Sequence, residues 1–312
     1  MSYTNNSSND LKKQHSSLEI KGILLAIFGA VLWGVSGTFG QFLFQNRGVN
    51  VEWMITVRML SAGFLLLCFA AFDKKNAIWD PWKNKKDVFQ LLIFSIVGML
   101  AIQYTYFLTI KLSNAATATV LQYINPIFIV LYLAIRNKRF PSTIELIAVS
   151  LAILGTFLLV THGDIRNLII SKEAFWMAIA SAIAAAIYTL QPATLLKRYS
   201  AKLIVGWGMF IGGLVMSFFK APWDITGNWD IQAVYYAFFI VFLGTLLPFY
   251  AYLSAVKILG GQTTSLLSCT EPLAAAFMAV LWLNVSFTSL DWLGTACILS
   301  TIVLLSFANK RI

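Results

Sequence analysis

The chain has 312 residues, of which 59% are hydrophobic and 12% are charged, and its mean hydropathy is +0.76. Because a soluble globular domain carries about 25% charged residues, this composition excludes a soluble domain and indicates an integral membrane protein. The net charge of +10 would suit a nucleic-acid-binding protein, but membrane topology accounts for the positions of the basic residues. Three cysteines lie in apolar segments without a CxxC or Cys/His cluster, so we predict neither disulfides nor a metal site.

The N-terminal residues 1–20 are polar, rich in Ser and Asn, and lack the apolar core of a signal peptide. We predict a short disordered cytoplasmic tail here. Ten apolar segments follow, most of them close to the ~20 residues that a membrane-spanning helix needs. Their predicted spans are 22–44, 53–72, 88–109, 115–135, 143–161, 173–195, 202–219, 232–255, 262–283 and 290–308.

The distribution of Lys and Arg predicts the orientation, because cytoplasmic loops carry an excess of both residues. With the N-terminus in the cytoplasm, seventeen basic residues fall on the cytoplasmic side, five fall outside, and only Arg58 lies within a span. This asymmetry predicts a multi-pass plasma-membrane protein with both termini in the cytoplasm. It also explains the positive charge without a nucleic-acid partner.

An internal repeat becomes visible when the chain is shifted by 146 residues. The gapless match pairs Gly98/Gly244, Leu100/Leu246, Tyr104/Tyr250, Tyr106/Tyr252, Lys111/Lys257, Thr117/Thr263, Leu121/Leu267, Pro126/Pro272 and Glu145/Asp291. Agreement of Tyr, Lys, Thr and Pro argues against chance similarity between apolar helices. Five spans in each half force the halves, 21–162 and 172–308, into opposite orientations. We therefore predict an all-α membrane protein with ten transmembrane helices in two inverted repeats, and a site at their interface.

Several sequence features together resemble the EamA family of the drug/metabolite transporter superfamily. They are the two tandem five-helix halves, GAVLWGVSG (29–37), Arg58, Pro126, Pro272, ELIAVSLAILGTFLLV (145–160) and DWLGTACILSTIVLL (291–305). The resemblance covers nearly all of the chain after residue 20. It implies a ten-helix bundle that moves small metabolites, often outward, with amino acids and related compounds as typical substrates.

The chain departs from the family pattern in two places. Asn125 precedes Pro126 where Ser or Glu is frequent, and residues 136–139 replace the usual Gly-Glu after the fourth helix. The first change removes a titrating group from one half. Any proton relay therefore depends on the carboxylate of Glu271 in the other half.

Polar and aromatic side chains within the spans are the candidate binding residues, because polar groups in a bilayer usually face the bundle interior. The predicted polar contacts are Gln122, Asn125 and Glu271, and the predicted aromatic walls are Trp33 and Tyr188. Arg58 has three interpretations: it binds a substrate carboxylate, it pairs with Glu271, or it snorkels to the interface. For all of these polar residues, contacts between helices are the alternative to substrate binding.

The ninth span carries Glu271 directly before Pro272 in an otherwise apolar stretch. A charged side chain at the bilayer centre costs about 2.5–3.5 kcal/mol, and proline removes a helical hydrogen bond. The pair therefore predicts a kinked helix with an ionisable group at the kink. Because burial disfavours the charged carboxylate, Glu271 suits a proton carrier, a ligand for a substrate amine, or both; a structural role is the alternative. Pro126, Pro272 and Pro248 are the candidate hinges.

These features predict a secondary transporter of a small metabolite that works by alternating access, with proton coupling through Glu271 as a further hypothesis. A facilitative channel or uniporter of the same fold is the alternative function. An enzyme is not predicted, because the sequence assembles no catalytic set. No cofactor is predicted either, since GGQTTS (260–265) lacks the Lys of a nucleotide-binding loop. The expected partners are a solute and the lipid bilayer, and the sequence does not specify an oligomeric state.

Overall fold

The computed structural model describes residues 3–72, 78–164, 169–259, 264 and 267–308, and its regular elements there are all helical. We number its main helical segments in chain order. They are α1 (Tyr3–Asn46), α2 (Val51–Ala71), α3 (Lys85–Leu112), α4 (Ala115–Arg136), α5 (Thr143–Thr161), α6 (Lys172–Arg198), α7 (Ala201–Ser217), α8 (231–259), α9 (Thr270–Leu283) and α10 (Ser289–Ala308).

Within the described residues, seven of these segments are long and apolar enough to cross a membrane. The seven are Leu18–Asn46, Val51–Ala71, Lys85–Leu112, Ala115–Arg136, Thr143–Thr161, Lys172–Arg198 and Ile231–Val256. The described parts of α7, α9 and α10 are shorter apolar helices. Each predicted apolar segment overlaps one helix within the described residues, and residues 262, 263, 265 and 266 of the ninth segment lie outside them.

The N-terminal segment differs from the prediction, because α1 begins at Tyr3 rather than after a disordered tail. Nucleating a helix is costly, whereas extending an existing helix by a residue costs little. The apolar part of α1 supplies the nucleus, and the polar residues before it continue the same helix. The prediction of disorder for residues 3–20 was therefore wrong.

Side-chain caps explain where several helices begin, since Ser, Asp and Asn satisfy the free N–H groups of a first turn. Ser142 accepts from Glu145 N, and the Glu145 side chain accepts from Ser142 N, which completes a capping box. Thr288 and Asp291 make the same two contacts at the start of α10. These matching caps explain why α10 begins 146 residues after α5. The same spacing separates the starts of α3 and α8.

Helix pairing within the bundle is symmetric. The helix α2 packs against α7, and α5 packs against α10. The helix α1 packs against α8 and α9, while α6 packs against α3 and α4. Exchanging each helix for the one five places away leaves this set of contacts unchanged. Each of these pairs joins a helix of one half to a helix of the other, so all ten helices contribute to the interface between the two halves.

The contact between α2 and α7 depends on Gly63. A Cβ at this position would collide with the backbone N of Phe210 and lie 2.8 Å from its Cα. Overpacking typically costs about 1–3 kcal/mol, so we expect Gly63→Ala to lower the unfolding temperature measured in detergent. Gly40→Ala is the matched control, because its Cβ would meet only the rings of Phe44 and Phe107, at 3.4 and 3.5 Å. Equal unfolding temperatures for the two variants would contradict this prediction.

Candidate functional site

A cavity of about 580 Å³ lies at the centre of the bundle and receives side chains from all ten helices. Its wall contains all six predicted binding residues: Trp33, Arg58, Gln122, Asn125, Tyr188 and Glu271. The helix pairing brings these six together from α1, α2, α4, α6 and α9. Their roles in binding stay predictions, but their common position is an observation.

The site is built around helix interruptions at three prolines. Proline has no N–H, so the carbonyl four residues earlier loses its helical donor. The three carbonyls deprived in this way belong to Gln122, Gly244 and Ser268, preceding Pro126, Pro248 and Pro272 respectively. In each case a side chain that lines the cavity supplies the missing donor.

The first interruption divides α4 into Ala115–Gln122 and Asn125–Arg136. Pro126 lies in the first turn of the second part, where a missing N–H is tolerated. Asn125 Nδ2 donates to the Gln122 carbonyl at 3.1 Å, and Gln122 Nε2 donates to Ser181 Oγ on α6 at 2.7 Å. Both predicted amide contacts therefore also serve as links within and between helices.

The second interruption explains the position of Arg58. A π-helical stretch of α8, Phe239–Leu246, precedes Pro248. Arg58 Nη2 donates to the Gly244 carbonyl at 3.3 Å, Arg58 Nε donates to Thr245 Oγ1 at 2.6 Å, and the guanidinium lies 4.8 Å from the ring centre of Phe107. Arg58 is 5% exposed, which excludes snorkelling. Among the described residues its polar partners are on α8, and it forms no ion pair with Glu271.

The third interruption places Glu271 in the cavity wall. Residues 268 and 269 form a turn, and α9 begins at Thr270 with Pro272 in its first turn. The Ser268 carbonyl accepts from Glu271 N at 2.9 Å and from the Tyr123 hydroxyl at 2.8 Å. Tyr123 also lies 3.0 Å from Glu271 Oε2. The segment is thus interrupted at the predicted kink, with the carboxylate immediately after the interruption.

Tyr123 is a residue of the site that was not predicted from the sequence. It occupies the turn between the two parts of α4, two residues before Asn125. A polar aromatic side chain beside a predicted break was the available signal. Its partners on the ninth segment are 145 and 148 residues away, so only the tertiary structure could identify them.

Aromatic rings form much of the remaining wall. Trp33 contacts Phe249 and Tyr252, with ring centres 5.2 and 5.6 Å apart. Tyr188 stacks on Phe94, with the two ring centres 5.6 Å apart. A carboxylate beside aromatic faces can bind an organic cation, since the rings attract positive charge as well as apolar groups.

The two ends of the cavity differ. One end, which we call the Arg139 end, is lined by Arg139 and Glu145, whose side chains form an ion pair at 2.6 Å. At the opposite end five rings form an aromatic cluster, with ring centres 4.4–5.5 Å apart. Its members, which are absent from the cavity wall, are Phe39, Phe42, Tyr236, Phe239 and Trp282.

Beyond the aromatic cluster lies an ion pair between the two halves, at what we call the Arg47 end. Arg47 Nη2 is 2.9 Å from Asp230 Oδ2, and the Arg47 guanidinium lies 4.6 Å from the ring centre of Phe42. The backbone N–H of Ala233 and the charge of Arg47 lower the pKa of Asp230 below its ordinary value. The carboxylate is therefore ionised at neutral pH, and the pair joins the start of α8 to the end of α1.

Comparison with known proteins identifies the family. The sequence profile of the EamA-like transporter family matches residues 20–161 and again residues 172–307. The chain belongs to the EamA-like transporter family. The family predicted from the sequence is thereby confirmed, and the chain is a multi-pass membrane protein of the drug/metabolite transporter superfamily.

Two bacterial proteins with transporter names resemble the chain over almost its whole length. The uncharacterized inner membrane transporter YicL of Salmonella typhimurium is 42% identical, over 93% of this chain and 97% of that protein. The uncharacterized transporter YwfM of Bacillus subtilis is 22% identical, over 92% and 94% respectively. A solved crystal structure superposes with a TM-score of 0.58 at 15% identity, over 96% of this chain and 98% of the other. That last likeness supports the fold alone.

Proposed function

We propose that this EamA-like protein is a secondary transporter that moves a small metabolite across the plasma membrane by alternating access. The observation that carries the proposal is the central cavity, which reaches the Arg139 end and is separated from the Arg47 end by the aromatic cluster. A cavity with one closed end fits a carrier that exposes its site to one side at a time. Both relatives carry the word transporter in their names, which supports the same functional class, a transporter.

The proposed architecture is ten transmembrane helices in two inverted five-helix repeats, 21–162 and 172–308. Three observations support it: the symmetric helix pairing, the helix starts 146 residues apart, and the two separate ranges matched by the family profile. The π-helical stretches Phe94–Leu100 and Phe239–Leu246 also fall at equivalent positions of the two halves. Rocking of one half against the other would then exchange the open end.

The proposed substrates are amino acids and related amines. Glu271 is half-buried in the cavity wall, so it can accept a substrate ammonium group. Trp33, Phe249 and Tyr252 can contact an apolar or aromatic side chain. Arg58 also lines the cavity, and a substrate carboxylate could reach it although two of its nitrogens already bond to α8.

The proposed direction is export coupled to protons. The Lys and Arg distribution supports a cytoplasmic position for the Arg139 end and for both termini. The cavity would then receive substrate from the cytoplasm, where Glu271 binds the amine in its charged form. At the other side a proton would displace the amine, and the neutral carboxyl would return. Competition between proton and amine for one carboxylate is sufficient for exchange.

Counterflow in proteoliposomes tests the function, because it reports an alternating site without any imposed gradient. Vesicles are loaded with pools of amino acids, amines or nucleosides, and labelled compounds are added outside in trace amounts. We expect label uptake with amino acids or amines inside, and none in vesicles without protein. Absence of uptake with every pool, from protein shown to be folded, would contradict the proposal.

A facilitative channel or uniporter of the same fold is the alternative. The aromatic cluster argues against an open channel, since five rings from α1, α8 and α9 pack in contact across one end. Imposed gradients separate the remaining cases. Accumulation of substrate against its gradient under an imposed pH difference would indicate coupled transport. Equilibration without accumulation, under every imposed ion gradient, would favour the uniporter.

A further inference from the structure

The hydroxyl group of Tyr123 has two acceptors but only one hydrogen. The Ser268 carbonyl oxygen lies 2.8 Å away and Glu271 Oε2 lies 3.0 Å away. A phenol donates one hydrogen bond, so it can serve only one of these acceptors fully at a time. One acceptor is the carbonyl deprived of its donor by Pro272, and the other is the carboxylate of the cavity.

The charge of Glu271 decides which acceptor receives the hydrogen. A hydrogen bond to an ionised carboxylate is roughly twice as strong as one between neutral groups. When Glu271 is charged, Tyr123 therefore donates to Oε2. When Glu271 is protonated, its own O–H can donate to the Tyr123 oxygen, and the Tyr123 hydrogen is released to the Ser268 carbonyl.

We propose that Tyr123 is a positioning residue that couples the charge of Glu271 to the helix interruption before Pro272; this inference rests on the proposed transport function. With Glu271 neutral, the Ser268 carbonyl has two donors, the Tyr123 hydroxyl and the Glu271 N–H. With Glu271 charged, it keeps only the Glu271 N–H, at 2.9 Å. Loss of a proton thus moves the Tyr123 hydrogen from the backbone carbonyl at the interruption to the side chain of Glu271.

The interface between the two halves therefore has two hydrogen-bond arrangements, one with Tyr123 bonded to Glu271 and one with Tyr123 bonded to the Ser268 carbonyl. A switching step requires two such arrangements. Tyr123 belongs to the first half and both of its acceptors belong to the second. The link therefore crosses the interface that must rearrange when the cavity changes sides. Binding of a proton or an amine at Glu271 therefore changes the hydrogen bonds of the Ser268 carbonyl as well as those of the carboxylate.

The other ionisable groups around Glu271 do not compete for this role. Those that interact with it electrostatically are Arg58 on α2, Tyr106 on α3, Tyr252 on α8 and Cys269 on its own segment. Arg58 donates to Thr245 and Gly244, and the Tyr106 hydroxyl pairs with Thr119 at 2.8 Å. Among the described residues only Tyr123 donates a side-chain hydrogen bond to Glu271.

Tyr123→Phe tests the proposal, because it removes the hydroxyl and keeps the ring. Without its donor, the charged form of Glu271 loses stabilisation, so we expect the midpoint of the pH profile of counterflow to move about one unit to higher pH. Tyr199→Phe is the matched control. Its hydroxyl also donates to a buried carboxylate, Asp87 Oδ2, at 2.8 Å, but both residues lie outside the cavity wall, so its profile should equal that of wild type.

A second measurement makes the test independent of any substrate. The infrared band of a protonated carboxyl group can be followed during a pH titration, and its loss in Glu271→Gln assigns it to Glu271. We expect the band to persist to higher pH in Tyr123→Phe than in wild type. An unchanged titration in Tyr123→Phe would overturn the role of Tyr123. Absence of counterflow in wild type would instead overturn the proposed function, so the two failures are distinguishable.

Discussion

Glu271→Gln is expected to reduce counterflow of an amine-containing substrate by about 30-fold or more. In the proposed complex, Glu271 forms a charge pair with the ammonium group of the substrate. Removing one partner of a buried, hydrogen-bonded charge pair costs about 2–5 kcal/mol, and each 1.4 kcal/mol changes an equilibrium constant about tenfold. Gln has nearly the same shape as Glu and can still accept from Tyr123, so the fold should be retained. The loss would therefore be one of charge rather than of packing.

The pH dependence of the Glu271→Gln variant gives a second readout. If Glu271 exchanges a proton for the substrate, the residual counterflow of the variant should no longer vary with pH, whereas wild type should vary. Glu173→Gln is the matched control, because Glu173 is an exposed carboxylate in the first turn of α6 and lies outside the cavity wall. Wild-type counterflow by Glu271→Gln at every pH would contradict both the binding and the coupling role.

Local signals in the sequence predict much of this fold. Hydrophobic segments give the helices, and caps such as Ser142 and Asp230 define where two of them begin. The interruption at Glu271–Pro272 is also predictable, because a missing N–H and a buried charge are both properties of neighbouring residues. The common position of the six predicted residues in one cavity follows from the repeat, which places the broken fourth and ninth segments at the interface between the halves.

Contacts between distant residues explain what the sequence could not predict. Arg58 is 186 residues from the Gly244 carbonyl, and Tyr123 is 148 residues from Glu271. Three interpretations of Arg58 fit the sequence, and the packing of α2 against the π-helical stretch of α8 argues against two of them, snorkelling and an ion pair with Glu271. The two π-helical stretches were not predicted from the sequence either. The helical N-terminus was mispredicted because polar composition describes an isolated segment, not one that continues an existing helix.

The aromatic cluster gives the second large prediction. Trp282 contributes a ring from α9 that contacts Phe39, Phe42 and Tyr236, with ring centres 5.2–5.5 Å away. We expect Trp282→Ala to open the Arg47 end while the cavity stays accessible from the Arg139 end. The result would be a leak: substrate trapped in proteoliposomes should escape about ten times faster than from wild type, without any counter-substrate.

The free energy that Trp282 contributes to the closed end accounts for a leak of this size. Truncating a buried Trp to Ala costs about 3–5 kcal/mol in a protein core. Trp282 is only partly buried, but a loss of about 1.4 kcal/mol from the closed end already raises the open population about tenfold. Trp176→Ala is the matched control, since the Trp176 side chain is 63% exposed on α6. Phe42→Ala, which removes a second ring of the cluster, should leak in the same way.

A leak in both cluster variants, but not in Trp176→Ala, would distinguish a gate from a structural plug. A plug that only supports the fold would lower the unfolding temperature and the counterflow together, without raising downhill escape. Loss of a gate would raise downhill escape without lowering the unfolding temperature, because the fold and the binding site stay intact while the closed end is lost. Escape rates equal to wild type in folded Trp282→Ala and Phe42→Ala protein would mean that the aromatic cluster does not close the pathway, and another barrier at the Arg47 end would have to do so.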